Sequence, residues 1–564
     1  MNANIKIFTK SLLGIVSIWI FAFLANEFTI FRWDLTEEGR YSVSEATMEV
    51  LADLEEPLEV EILLTGTLPG GMRRFQKSIE ETVKTLNAYS PYPIRFFYQD
   101  PLTLPEDIRE EYIFTLADYG IIPTNLHASE AGGKTTRMIF PGVVVRNEEY
   151  EVGTLLLKGE KGMSSDEILN NSIENLEFEI STAIKRLISR HQHAVGLIIG
   201  HGEMEEDEGF GVVEALHEDF EIYKIPMEQA EKVEDLLEFE ALIIAGPREL
   251  FNEREKFLLD QYLMYGGNLL VFLDPLAVDL KEAGGEGTVA MPYDTGLDDL
   301  LFRYGIRVNK DLVQDLNYGY HPVVAGDFGD QPQIVPLPWP FYVLAGRMAT
   351  HPITKGLDQL QFRFVSTLDT VKADGIRKTP LVFSSDYSKV LNAPLRVAFE
   401  DMTVQPDVET FGSQRLPLIY LLEGEFTSYF KNRFIPEGFA KDFFREEGTM
   451  GRLLVAGDGS LVKSMVDPSS GEPMPLGEEP FGENMSANRD FLQNAIHYML
   501  NPEGLISTRV KQYQIRPLNR VKIQNQKGFW QVINVAMPIG IILSIGLANY
   551  LRRRRKYEKG YSPN

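Results

Sequence analysis

Four apolar runs in this chain end on residues that could do chemistry. The stretch "AVGLIIGHGEMEEDEG" puts Gly200-His201-Gly202-Glu203 directly after a buried-type strand. "ALIIAGPREL" ends on Gly246-Pro247-Arg248, "NLLVFLDP" on Asp274-Pro275, and "RLLVAGDGSLV" on Gly457-Asp458-Gly459. A histidine beside carboxylates is the raw material of general acid–base catalysis. In an open parallel sheet, ligands bind at the carboxyl ends of the strands, so His201, Glu203, Arg248, Asp274 and Asp458 could share one cleft as ligand or partner contacts.

The rest of a catalytic apparatus is missing. A nucleophile elbow needs Ser or Cys in a Gly-flanked turn after a strand; Ala245-Gly246-Pro247 stands there instead, and Ser460 is not in a G-x-S-x-G setting. One histidine with scattered carboxylates matches no metal-ligand spacing, and "EMEEDEG" lacks the residue order of a calcium loop. No G-x-x-x-x-G-K-[ST] is present, so the chain is not itself an ATPase. There is no cysteine, which excludes disulfides, thiolate metal sites and thiol nucleophiles. No catalytic residue, metal or cofactor is expected. The plain alternative for His201-Gly202-Glu203 is a turn, with two glycines free to take unusual φ and two side chains pairing locally. That reading is the stronger one.

The elements that must position these residues follow from hydrophobic period. Alternation of apolar strands with helical patterns ("GFGVVEALHEDF", "NEREKFLLDQYLMYGG") predicts a doubly wound α/β domain over 191–510, with a mostly parallel sheet and an insertion over about 276–383 rich in Gly and Pro. Before it, "LEVEILLTG", "MRRFQKSIEETVKTLNAYS" and "IRFFYQDP" read as β-α-β, followed by the strands "TRMIFPGVVVRNEEY" and "EVGTLLL". This order over 32–170 resembles a thioredoxin-like domain; without cysteines it would be a scaffold. A linking helix is expected over 171–190.

The ends suggest membrane anchors. "SLLGIVSIWIFAFLA", after Lys6 and Lys10, predicts an uncleaved transmembrane anchor within 1–31, with a cleaved signal peptide as the rival reading. "FWQVINVAMPIGIILSIGLANYL" predicts a spanning helix over 529–551, reached through a juxtamembrane segment over 511–528 and followed by a basic tail over 552–564 that begins with four arginines. By the positive-inside rule both termini are cytoplasmic and the bulk of the chain periplasmic, at a bacterial inner membrane. With 82 acidic against 55 basic residues, a net charge of -27, nucleic acid is not a partner.

These segments in order ("DLTEEGRYSVSEAT", "GHGE", "IIAGP", "YGGNLLVFLDP", "LVAGDGSLV", "NRDFLQNAIHYML", between two anchors) resemble the GldG family over nearly the whole chain. These are gliding-motility accessory proteins of ABC transporters in the Bacteroidetes. The resemblance implies a permease subunit and a cytoplasmic ATPase subunit as partners, a link to protein secretion, and a second domain similar to glutamine amidotransferases but lacking their nucleophile. Homodimerisation stays open. Two function classes remain: a non-enzymatic ABC-transporter subunit, and a membrane-tethered hydrolase or amidotransferase relic with a site near His201 and Glu203. The aromatics of "PLPWPFYV" hint at a third, glycan binding.

Overall fold

The structure, a computed structural model, describes Ser17 and residues 43–558 apart from 131–132, 160–163, 189–192, 205, 329–330, 413–414, 440–442, 468–469, 481–485 and 511–519. Apart from Ser17, the anchor expected over 1–31 lies outside the described residues. Tertiary contacts divide the chain into two units, Met1–Gln512 and Tyr513–Asn564.

Ser44 caps the first described helix, Glu45–Ala52, its hydroxyl accepting the Thr47 N–H at 3.1 Å. Pro57 follows, and the chain extends into β1 (Leu58–Ile62). Helix Gly70–Tyr89 buries Phe75, Ile79, Val83 and Leu86, a stripe at helical spacing, and returns the chain to β2 (Ile94–Tyr98). Helix Glu106–Asp118 comes next, then β3 (Thr124–Glu130), β4 (Gly133–Ile139), β5 (Gly142–Arg146) and β6 (Glu151–Leu155). The four-stranded sheet has the order β2-β1-β5-β6, with β2 parallel to β1 and β5 antiparallel to both β1 and β6. The continuous run "TRMIFPGVVVRNEEY" is two strands. The chain breaks at Phe140-Pro141, where proline lacks the N–H a continuing ladder needs, and β4 pairs with β3 as a separate hairpin. Helix Ser165–Ile188 packs on this sheet through Leu176, Ile180 and Ile184.

The larger sheet begins with β7 (His193–Ile199), β8 (Phe220–Pro226), β9 (Ala241–Ala245) and β10 (Asn268–Phe272). It has eight strands, in the order 347–348, 376–383, 417–427, 447–456, β10, β9, β7, β8. The run from β8 to 447–456 is parallel throughout. The other three strands are antiparallel. Every residue of β9 is buried because the sheet is covered on both faces. Ala241, Ile243 and Ala245 face helices Glu206–Leu216 and Asn488–Leu500, whose Val212, Leu216, Phe491 and Ile496 join that core. Leu242 and Ile244 face helix Glu253–Met264, through Phe257, Leu258 and Tyr262. Each such aliphatic side chain contributes about 1.5–3 kcal/mol by leaving water.

In the second unit, helix Arg520–Glu558 contains Gln526–Arg555, 30 residues that include an 18-residue window of mean hydropathy 1.9, long and apolar enough to cross a membrane. Pro538 lies inside it.

Candidate functional site

The turn after β7 carries His201 and Glu203, and both side chains are buried. Gly200 and Gly202 take φ of +116° and +70°, so the chain doubles back within four residues at positions only glycine occupies without strain. The reversal lets the Glu203 carboxylate accept the His201 N–H at 2.7 Å. His201 stacks flat on Phe251, with ring centroids 3.7 Å apart. Its Nε2 lies 3.0 Å from Oε2 of Glu255, and its Nδ1 lies 3.3 Å from Oε1 of Glu203, close enough for an ion pair but without hydrogen-bond geometry. Burial draws the pKa of His201 down, and the two facing carboxylates outweigh it, so the net shift is upward.

Glu255 is held from below. Asn252 and Glu255 form a reciprocal capping box at the start of helix Glu253–Met264, with Glu255 Oε2 accepting the Asn252 N–H at 2.8 Å. The residue closing the helix cap is therefore also the histidine's partner.

Arg248, Asp274 and Asp458 meet next to this turn. The Arg248 N–H donates to the His201 carbonyl at 2.7 Å, and its guanidinium stands 3.6 Å from Asp274. Asp274 accepts the Gly459 N–H at 2.6 Å. Asp458 is fully buried and accepts the N–H groups of Ser460 and Arg363. Burial, and next the charge of Asp274, push the Asp458 pKa up to about 7. The four strand ends thus form one network. His201 joins it through its backbone carbonyl, while its ring faces away toward Glu255 and Phe251.

Gly246 stands at the nucleophile-elbow position with φ +64°. A Cβ there would lie 3.1 Å from Cε of Lys463 and 3.2 Å from Asp274 Oδ2. Lys463 in turn pairs with Glu208 at 3.2 Å. The position that would carry a nucleophile is walled in. Both ring nitrogens of His201 face carboxylates on opposite sides of the ring, so they do not converge with Glu203 and Glu255 on a common point. Among the described residues, no group of three or more His, Asp or Glu is arranged to hold a metal.

Sequence reasoning did not single out Glu255, Phe251 or Lys463. The capping pattern Asn252-Glu253-Arg254-Glu255 was readable, but its proximity to His201 was not. The aromatics of "PLPWPFYV" do not form a glycan platform. Trp339, Phe341 and Tyr342 are buried in one core and pack with Phe364, Trp339 also with Phe399.

Among curated proteins, the chain is 21% identical over 295 residues to an uncharacterized protein of Borreliella burgdorferi, covering 51% of this chain and 52% of that one. It is 40% identical over 91 residues to the intraflagellar transport protein 52 homolog of Mus musculus, covering 16% of this chain and 18% of that one. The chain thus spans about half the length of the first relative and under a fifth of the second. Among solved structures, the mmIFT52 N-terminal domain overlaps 54% of this chain and 96% of its own, at 16% identity and TM-score 0.30. A ThuA-like protein from Bacteroides uniformis overlaps 55% and 93%, at 13% identity and TM-score 0.26. These overlaps are shallow, and the mixed α/β fold rests on the strand pairing described above. A model described as a domain of unknown function matches residues 37–146. The model described as ABC-type uncharacterized transport system matches residues 192–495, more than half of the 564, and the protein belongs to that auxiliary family of ABC transport systems.

Proposed function

We propose that the protein is a non-enzymatic, membrane-anchored subunit of an ABC transporter complex that serves gliding motility and its linked protein secretion. Family membership implies association with other transporter components. On this reading they are the permease and the cytoplasmic ATPase, with both termini of this chain cytoplasmic and the body periplasmic. The first sheet is read as a thioredoxin-like scaffold and the second as an amidotransferase-like domain, on the strength of their strand orders.

The observation that carries the non-enzymatic reading is the His201 ring, committed to Glu203, Glu255 and Phe251, beside an elbow position occupied by glycine. The anchoring is supported by the apolar helix Gln526–Arg555. It is supported too by packing within the first unit: helix Glu45–Ala52 and the turn Leu505–Val510 touch each other and both lie on helix Ser165–Ile188. The two ends of the described body therefore leave it close together, as two anchors in one bilayer require.

Purification of the full-length protein in mild detergent, with identification of the co-purifying chains, tests the proposal. Permease and ATPase subunits in the eluate are expected, and deletion of the gene should abolish gliding. A chain that elutes alone and hydrolyses esters or amides in a His201-dependent manner would instead favour the relic enzyme.

A further inference from the structure

A second polar site lies away from the strand-end network. Helix Asp298–Tyr304 and the strands Ile306–Val308, Asp311–Asp315 and Ser388–Asn392 border a cavity of about 650 Å³, none of whose lining residues belongs to the His201 network. That volume is in the range of small-molecule pockets. Its wall carries two charge pairs: Arg307 to Asp369 at 2.6 Å and Lys310 to Asp298 at 2.6 Å. Asn309 donates to Asp369 at 3.0 Å and to the Thr367 hydroxyl at 2.9 Å. Phe302 stands at the cavity with half of its surface exposed. Asn392, paired with Asp311 at the end of its strand, is exposed beside it, and its side-chain amide has no hydrogen-bond partner among the described residues.

The chemistry of this wall selects among ligand classes. An anion is disfavoured, because Asp298, Asp299, Asp311 and Asp369 outnumber the two cations. An amine gains little. Asp298 and Asp369 are already paired, buried Asp311 is held by the N–H and hydroxyl of Thr367, and the remaining carboxylate, Asp299, is exposed, where solvent screens its pull on a cation. What remains open is an array of paired donors and acceptors at close spacing, a free amide and an exposed aromatic face. Vicinal hydroxyls both donate and accept, and can bridge a guanidinium and its carboxylate together. The C–H face of a pyranose packs on an aromatic ring whose face is electron-rich. We propose that this cavity binds a neutral saccharide.

The test is saturation-transfer NMR on the full-length protein in a sugar-free detergent. The probes are glucose, galactose, mannose, N-acetylglucosamine, cellobiose and diacetylchitobiose, with inorganic phosphate and spermidine as charged controls. At least one neutral sugar should receive saturation at its ring protons. Phe302→Ala and Asp369→Asn should each weaken that binding about tenfold. Asn392→Leu, which keeps the backbone and replaces an exposed side chain that bonds to nothing else among the described residues, provides a variant that leaves the fold intact, and it should weaken binding as well. The proposal is overturned if every sugar is silent, if phosphate or spermidine binds in their place, or if binding is indifferent to Phe302 and Asn392.

Discussion

Oε2 of Glu255 lies 3.0 Å from Nε2 of His201 and accepts the Asn252 N–H at 2.8 Å. One carboxylate oxygen thus closes a helix cap and anchors the turn after β7. The two roles separate by substitution. Glu255→Gln keeps an acceptor for the cap but removes the charge facing the imidazole, and should cost under about 1 kcal/mol. Glu255→Ala loses both and leaves buried groups unpaired, which should cost about 1–3 kcal/mol. Thermal melts of the two variants check this. Equal losses would show that the cap hydrogen bond adds nothing beyond the charge facing His201.

The pH dependence of the same cluster has a definite sign. His201 holds its proton more readily in the fold than its ordinary value of 6.5 implies. The stability it contributes is therefore fully present below that value and is lost as pH rises through the higher folded pKa. The melting-temperature gap between the wild type and His201→Gln should be larger at about pH 5.5 than at about pH 8.5. A gap that does not change with pH would mean that the ring titrates alike in the folded and unfolded chains, and a gap larger at the higher pH that the fold holds it neutral.

The parallel strands were legible because burial on both faces writes them as unbroken apolar runs, as in "ALIIA" of β9. The antiparallel half of the sheet was not. Strand Ile376–Phe383 carries Arg377, Lys378 and Pro380, and most of it is only half-buried, so its period is diluted. Strand Pro417–Thr427 is largely buried, but it carries Glu423, held by Arg377 at 2.6 Å and by the Tyr498 hydroxyl at 3.2 Å. Such a residue reads as surface until its partners are known. In the site, the glycine-framed turn was readable from local sequence. The partners of His201 were not, since Phe251 and Glu255 come from the far side of β9, about fifty residues away.

Asp219 ties helix Ser165–Ile188 to the larger sheet. It accepts Nε of Arg186 at 2.6 Å and faces Nε2 of His497 at 3.1 Å. Burial alone would raise its pKa, but His497 and Arg186 outweigh that and hold it well below 3.8. Its contribution is thus present above that value and is lost on acidification. Asp219→Ala leaves the partly buried Arg186 guanidinium with Glu218, at 3.0 Å, and the more remote charge of Glu179, and should cost about 2–3 kcal/mol at neutral pH. A melt unchanged by the substitution would show that the helix docks through its apolar face alone.

The sharpest test of the non-enzymatic reading is to put a nucleophile back. Gly246→Ser places a hydroxyl at the elbow position, at φ +64°, with its Cβ 3.1 Å from Cε of Lys463 and 3.2 Å from Asp274 Oδ2. The lysine end can move aside, but the backbone strain remains, and the variant should lose about 1–2 kcal/mol. It should also gain no activity. A serine needs a free base within hydrogen-bond reach: Lys463 is paired with Glu208, Asp274 faces Arg248 and accepts the Gly459 N–H, and the His201 ring is turned toward Glu255, with Nδ1 against Glu203. Incubation of the folded variant with a p-nitrophenyl ester should give only the background rate, identical in the Gly246→Ser/His201→Ala double variant. Hydrolysis by the single variant that disappears in the double variant would show that His201 can swing to the elbow. The turn after β7 would then be a dormant catalytic base rather than a structural lock.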